Sequence, residues 1–240
     1  MKKLFMFALM LGTLVLGASA QKTFSVLGDS YSTFRGAIPQ GYANYYPSMG
    51  NDVATIDQTW WSLIAAQNGW TLKKNDSWSG STICTTGYGG GDYTNQAFLN
   101  RTDRLDNPDM IFVFGGTNDS WANSPIGEYK YEDWTDADLK SFRPAVACML
   151  KRIKDNNPES KVYVLLNSEL KPEIGETFRT VAPRFDATVI ELHDIEKQQG
   201  HPSILGMQAI AAQVTEAVMA SAEKKTRFSI RRLFQKIAKD

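Results

Sequence analysis

Between residues 23 and 192 the chain alternates short apolar runs with longer stretches in which apolar residues return every three or four positions. Phe24-Ser25-Val26-Leu27, Met110 to Phe114, Val162 to Leu166 and Thr188 to Leu192 are short and rich in β-branched or aromatic residues, as strands covered on both faces are. Thr71 to Lys74 is a weaker fifth run. Thr59 can cap a helix carrying Trp60, Trp61, Leu63 and Ile64 that ends near Asn68-Gly69. Thr135 can cap another that opens on Asp136-Ala137-Asp138, with Pro144 marking a break or a fresh start. Ser203 can cap a last helix with Ile204, Met207, Ile210, Ala211 and Val214 on one side. Strands alternating with helices predict an α/β fold: a three-layer sandwich whose mostly parallel five-stranded sheet carries helices on both faces. Such sheets bind ligands beyond the carboxyl ends of their strands. Ser30, Asn118 and Glu169 each follow a predicted strand and are expected on that one rim.

Two connections are long. Arg35 to Gln58 contains Tyr42, Tyr45, Tyr46 and Pro47, and Asp119 to Trp134 contains Trp121, Tyr129, Tyr131 and Trp134. Loops of that length in a compact domain are functional or disordered, and so many aromatic residues argue against disorder. Amphipathic rings suit sugar faces, which present both C–H patches and hydroxyls. Tyr46, Trp121 and Trp134 are therefore expected to bind substrate.

The first twenty residues follow another rule: Lys2 and Lys3, an apolar run from Leu4 to Leu16, then Ala18-Ser19-Ala20. This is the pattern of an export leader cut after Ala20, and it predicts a periplasmic or secreted protein. The run is shorter than the roughly 18 residues of a bilayer-spanning helix. Loss of the two lysines would turn a net charge of zero slightly negative, so nucleic acid is not an expected partner. About 220 residues suffice for one well-buried domain. The expected division is a leader over 1–20, a domain over 21–222 and a basic tail over 223–240. That tail places Ile230, Leu233, Phe234 and Ile237 at helical spacing among basic residues. It could lie weakly on an anionic membrane or pack on the domain. Cys84 and Cys148 are the only cysteines, and the sequence leaves open whether they pair.

The first strand stops at Gly28-Asp29-Ser30. A serine hydroxyl is a poor nucleophile unless a base activates it and donors await the oxyanion it creates. The chain has a candidate for each role: Gly80 in Ser79-Gly80-Ser81, Asn118 in Gly115-Gly116-Thr117-Asn118-Asp119, and His201 in Gly200-His201-Pro202. Position 32 is Ser, where the nucleophile elbow of the α/β-hydrolases requires Gly. In this order the four islands resemble the SGNH (GDSL-type) hydrolase family over roughly residues 23 to 222. The resemblance implies a flavodoxin-like fold and a serine esterase that needs no metal or organic cofactor. It also implies roles: Ser30 as nucleophile, His201 as base and then acid, and an oxyanion hole built from the Ser30 N–H, Gly80 and Asn118.

One position departs from the family. Where an aspartate usually precedes the histidine by three residues, this chain has Gln198, and a neutral amide cannot stabilise an imidazolium as a carboxylate does. Asp194 and Glu169, both following strands that end on the rim, are the expected orienting groups. No metal-binding spacing is present. Gly87 to Gly91 lacks the ending of a phosphate-binding loop and reads as a flexible flank of the site. The leading expectation is removal of acetyl or other small acyl groups from carbohydrate. The alternatives are a lysophospholipase or lipase-like esterase and a non-catalytic glycan-binding protein on the same fold, for which Gln198 is the hint.

Overall fold

The apolar runs assemble into one parallel sheet of five strands: β1 (Thr23–Gly28), β2 (Thr71–Ser77), β3 (Met110–Phe114), β4 (Lys161–Leu166) and β5 (Ala187–Glu191), in the order β2-β1-β3-β4-β5. The computed structural model describes residues 21–237, and side-chain surroundings for residues 21–223. The expected leader at 1–20 and the apolar face of the basic tail lie outside the described residues.

Successive strand side chains point to opposite faces, and here both faces are covered. Leu27, Ile111, Val113, Val162 and Val164 pack against α3 (Phe142–Asn156) and α4 (Pro172–Val181). Phe24, Val26, Phe112, Phe114, Tyr163 and Leu165 pack against α1 (Trp60–Asn68) and α5 (Ile204–Ile237). The register aligns Val26 with Phe112 and Phe112 with Tyr163, and the last two rings stack at 5.5 Å. The fold is thus the expected three-layer α/β sandwich, with β3 central in the strand order and β1 between β2 and β3.

Two elements differ in extent from the sequence pattern. β2 runs on to Ser77 although Asn75, Asp76 and Ser77 are polar and buried. Each has a buried partner: Asn75 donates to the Ser32 carbonyl, Ser77 to Asn75, and Asp76 meets Arg101. Thr135 bonds Asp138 in both directions but supports only one 3-10 turn, Asp138–Lys140. α3 starts afresh at Phe142 and holds Pro144 in its first turn, where a missing N–H costs nothing. α5 runs unbroken through residue 222, so the expected division between domain and tail falls inside one helix. Cys84 and Cys148 are both buried and unpaired.

Candidate active site

At the carboxyl edge of β1 the chain turns at Asp29 into a 3-10 turn, Ser30–Ser32. The Asp29 N–H donates to the Phe114 carbonyl at the end of β3, and its carboxylate accepts from the Tyr31 N–H. These two bonds fix the turn, and Ser30 is buried at its start. Burial pushes the Asp29 carboxyl up to about 7, with the Asp119 charge adding to the rise.

His201 arrives from the far end of the sequence on a small hairpin, β6 (Lys197–Gln198) and β7 (His201–Pro202). Gln199 and Gly200 form its turn with φ of 51° and 75°, the left-handed pair that a tight two-residue hairpin requires. The hairpin is clamped by its carbonyls: the Tyr31 hydroxyl donates to Gly200 O at 2.6 Å and the Tyr46 hydroxyl to Pro202 O at 2.8 Å. The result is a direct pair, with His201 Nε2 2.9 Å from Ser30 Oγ. The other ring nitrogen, Nδ1, lies 3.1 Å from the Gln199 carbonyl oxygen. A carbonyl only accepts, so Nδ1 carries the proton and Nε2 offers its lone pair to the serine. Burial lowers the His201 pKa, and the Gln199 carbonyl opposes this, so the ring is neutral and basic at pH 7.

The expected orienting acids are corrected by these contacts. Asp194 projects into solvent, its side chain 96% exposed, and meets the exposed ring of His193 rather than His201. Glu169, 78% exposed, pairs with Lys197, which holds its carboxyl below the usual range. Both follow rim-side strand ends, yet their side chains leave the site. Gln198 is also turned away: on β6 it pairs across the hairpin with His201, while its amide accepts from the Asp52 N–H and donates to the Asp52 carboxylate. The main-chain carbonyl of Gln199 fills the place of the third group, a role that residue type does not signal.

Asn118 lies in α2 (Thr117–Trp121), which begins directly after Gly115-Gly116. Gly116 has φ of 90°, and a Cβ there would sit 3.0 Å from the Phe178 ring, so the tight entry into α2 excludes a side chain. Asn118 Nδ2 donates to the Ser81 carbonyl at 3.0 Å, and Oδ1 accepts from the Tyr88 hydroxyl at 2.8 Å. The second amide hydrogen has no partner among the described residues. Gly80, at φ 82°, occupies the third position of a turn closed by Ser81 N–H to Trp78 O, where a type II turn demands a positive φ. The Ser30 and Gly80 N–H groups have no hydrogen-bond partner among the described residues. Asp119, beside Asn118, accepts from the Ile83 and Cys84 N–H groups and so anchors the Gly80 loop; burial pushes its carboxyl up to about 6.

Arg101 joins these parts. Fully buried, it bonds the Asp76 carboxylate and carbonyl, the Gly28 carbonyl, the Ser81 hydroxyl and the Gln96 carbonyl. It thereby ties the strand end before the serine to the loop after Gly80. The sequence reading missed Arg101, because an isolated arginine in a loop gives no sign of burial. Tyr88 was also missed, inside a glycine-rich segment read as a flexible flank.

Of the expected substrate residues, Trp121 stands at the mouth. The residue is 43% exposed and its ring lies 5.9 Å from His201. The other two expectations are corrected. Tyr46 is completely buried as a clamp on Pro202. Trp134 packs on the α3 side of the core with its indole N–H on the Lys130 carbonyl. The neighbouring Tyr45 instead faces the site, its ring stacked on His201 at 3.5 Å and 6°. No group of three or more potential metal ligands occurs among the described residues.

The GDSL-like lipase/acylhydrolase family profile matches residues 22–218. Among solved structures, a candidate GDSL-like lipase from Bacteroides ovatus ATCC 8483 is 46% identical, with a TM-score of 0.82 over 84% of this chain and 100% of that chain. One from Bacteroides uniformis ATCC 8492 is also 46% identical, with a TM-score of 0.81 over 83% and 96%. An acetyl xylan esterase from Butyrivibrio proteoclasticus, at 16% identity, shares the fold with a TM-score of 0.58 over 85% of this chain and 65% of that one. Comparison with curated proteins gives no match.

Proposed function

The chain belongs to the GDSL-like lipase/acylhydrolase family, and from that premise we propose that it is a serine esterase that removes acetyl or other small acyl groups from carbohydrate. The observation that carries the reading is the 2.9 Å contact between Ser30 Oγ and His201 Nε2. In this mechanism Ser30 attacks the ester carbonyl as His201 Nε2 takes its proton. The oxyanion is met by the Ser30 and Gly80 N–H groups and the free hydrogen of the Asn118 amide, each such donor being worth about 3 kcal/mol. His201 returns the proton to the leaving alkoxide, and water then releases the acyl group through the same base.

The acyl acceptor is inferred from Trp121, an exposed ring beside the histidine that suits a sugar face. The acetyl xylan esterase neighbour agrees with this reading in fold. The leader-like residues 1–20 support export to the periplasm or medium.

The test compares wild type with Ser30→Ala on p-nitrophenyl acetate and p-nitrophenyl octanoate. Loss of at least about 10³-fold in kcat with Ser30→Ala is expected, together with preference for acetate. Equal rates for the two proteins would end the esterase reading. A preference for octanoate would redirect it to lipid esters.

A further inference from the structure

We propose that Tyr45 is a positioning residue whose ring face stabilises the His201 imidazolium formed when Ser30 attacks, alongside the Gln199 carbonyl that holds Nδ1 where a triad carboxylate would act. The inference rests on the Ser30–His201 reading above and names a part of that site which family membership does not assign.

The geometry is specific. The two rings lie nearly parallel, 3.5 Å apart with planes 6° from each other, so the imidazole presents one face to the negative face of an aromatic quadrupole. The attraction of a cation to such a face grows as water is excluded, and His201 is buried. The platform is also anchored to the nucleophile: the Tyr45 N–H donates to Thr33 Oγ1 at 2.9 Å, and that hydroxyl donates to the Ser30 carbonyl at 3.0 Å. On the other side, the Tyr46 ring meets Tyr45 edge-on at 4.8 Å. Tyr45 is therefore held in register with both reacting groups.

Apart from the Gln199 carbonyl at Nδ1, the surroundings place no charged group against the imidazolium, which leaves this ring to face it. The side chains facing His201 are Ser30, Tyr31, Tyr45, Tyr46 and Trp121, and Nδ1 meets only the Gln199 carbonyl. Burial and that carbonyl account for its titration, with no charged group contributing. The nearby acids are engaged elsewhere: Asp29 on the Tyr31 N–H, Asp52 on Gln198 and Ile204, Asp194 on His193, and Glu169 on Lys197. The Tyr45 hydroxyl is buried with no partner among the described residues, so no hydrogen bond of this side chain accounts for its place against His201, whereas the stacking of its ring does.

The experiment holds size nearly constant and drains the ring of electron density. Tyr45→Phe is the reference, followed by 4-fluoro-, 3,5-difluoro- and 3,4,5-trifluorophenylalanine in place of Tyr45, each assayed for kcat/KM on p-nitrophenyl acetate across pH. The plateau should fall stepwise, by on the order of tenfold at three fluorines. The acid limb should move to lower pH in step, because a destabilised imidazolium is a stronger acid. A flat series, or a fall without movement of the limb, would overturn the proposal. The same series in a Ser30→Ala background, read by NMR titration of His201, requires no turnover. There the imidazole pKa should decline with each fluorine, and constancy would refute the role of Tyr45 whether or not the protein is an esterase. Loss of the esterase reading alone would appear as Ser30→Ala matching wild type while the NMR series still slopes.

Discussion

Replacing Arg101 with methionine should cost about 4 kcal/mol of stability at pH 7. A guanidinium has five N–H donors, and here all five are spent on protein acceptors: two on Asp76, one each on Gly28, Ser81 and Gln96. Neither partner of the Arg101–Asp76 pair has any side-chain exposure. Methionine keeps the apolar stem but removes the guanidinium and leaves the Asp76 carboxylate buried with no cation, its Oδ2 already without a partner among the described residues. Removing one member of a buried pair typically costs about 3–5 kcal/mol, mostly the uncompensated charge left behind. Urea unfolding should show the loss as a lower midpoint at unchanged slope. Adding Asp76→Asn to Arg101→Met removes that charge and should restore at least about 2 kcal/mol. A single-variant loss below about 1 kcal/mol, or no recovery in the double variant, would refute the view of Arg101 as the charged node of the site.

Tyr88→Phe removes the hydroxyl that fixes the Asn118 amide. It should lower kcat about tenfold, as one hydrogen bond to the oxyanion donor is lost, while steady-state kinetics show KM unchanged; a KM effect alone would place Tyr88 on the substrate instead. Asp29 is neutral in the fold up to about pH 7 but charged above about pH 4 when unfolded. The folded state therefore binds the extra proton in that window, and stability falls as pH rises through it. The gain from Asp29→Asn over wild type should grow from about pH 4 to about pH 7 by on the order of a few kcal/mol and then level off. Chemical denaturation across that range checks it, and a difference independent of pH would refute the buried charge.

Local pattern made the strands, the helices α1, α3 and α5 and the four islands around Ser30, Gly80, Asn118 and His201 legible, whereas α4 was not read from it. A run such as Met110 to Phe114 can be buried on both faces only as an inner strand. Gly115-Gly116 before Asn118 signals a turn too tight for side chains. Parallel topology then puts Ser30 and Asn118 on one edge, because every strand of such a sheet ends there. Other features depended on side-chain direction and distant pairing, which no local window contains. Tyr45 and Tyr46 are adjacent, yet one stacks on the histidine and the other is buried beneath the hairpin. Asp194 and Glu169 reach the correct edge and point away from it. Gln199 acts through a carbonyl that every residue possesses, so its role follows from the φ of a turn rather than from its side chain.

Periodicity thus settles the architecture, since burying alternate apolar residues has few solutions, while the chemical alphabet of the site is legible in the order of its short motifs and the family resemblance they carry. The partner of each buried polar group is chosen only when distant segments close around it. Whether His201 leans on a carboxylate or on a carbonyl and an aromatic face is that kind of choice, made by the tertiary packing.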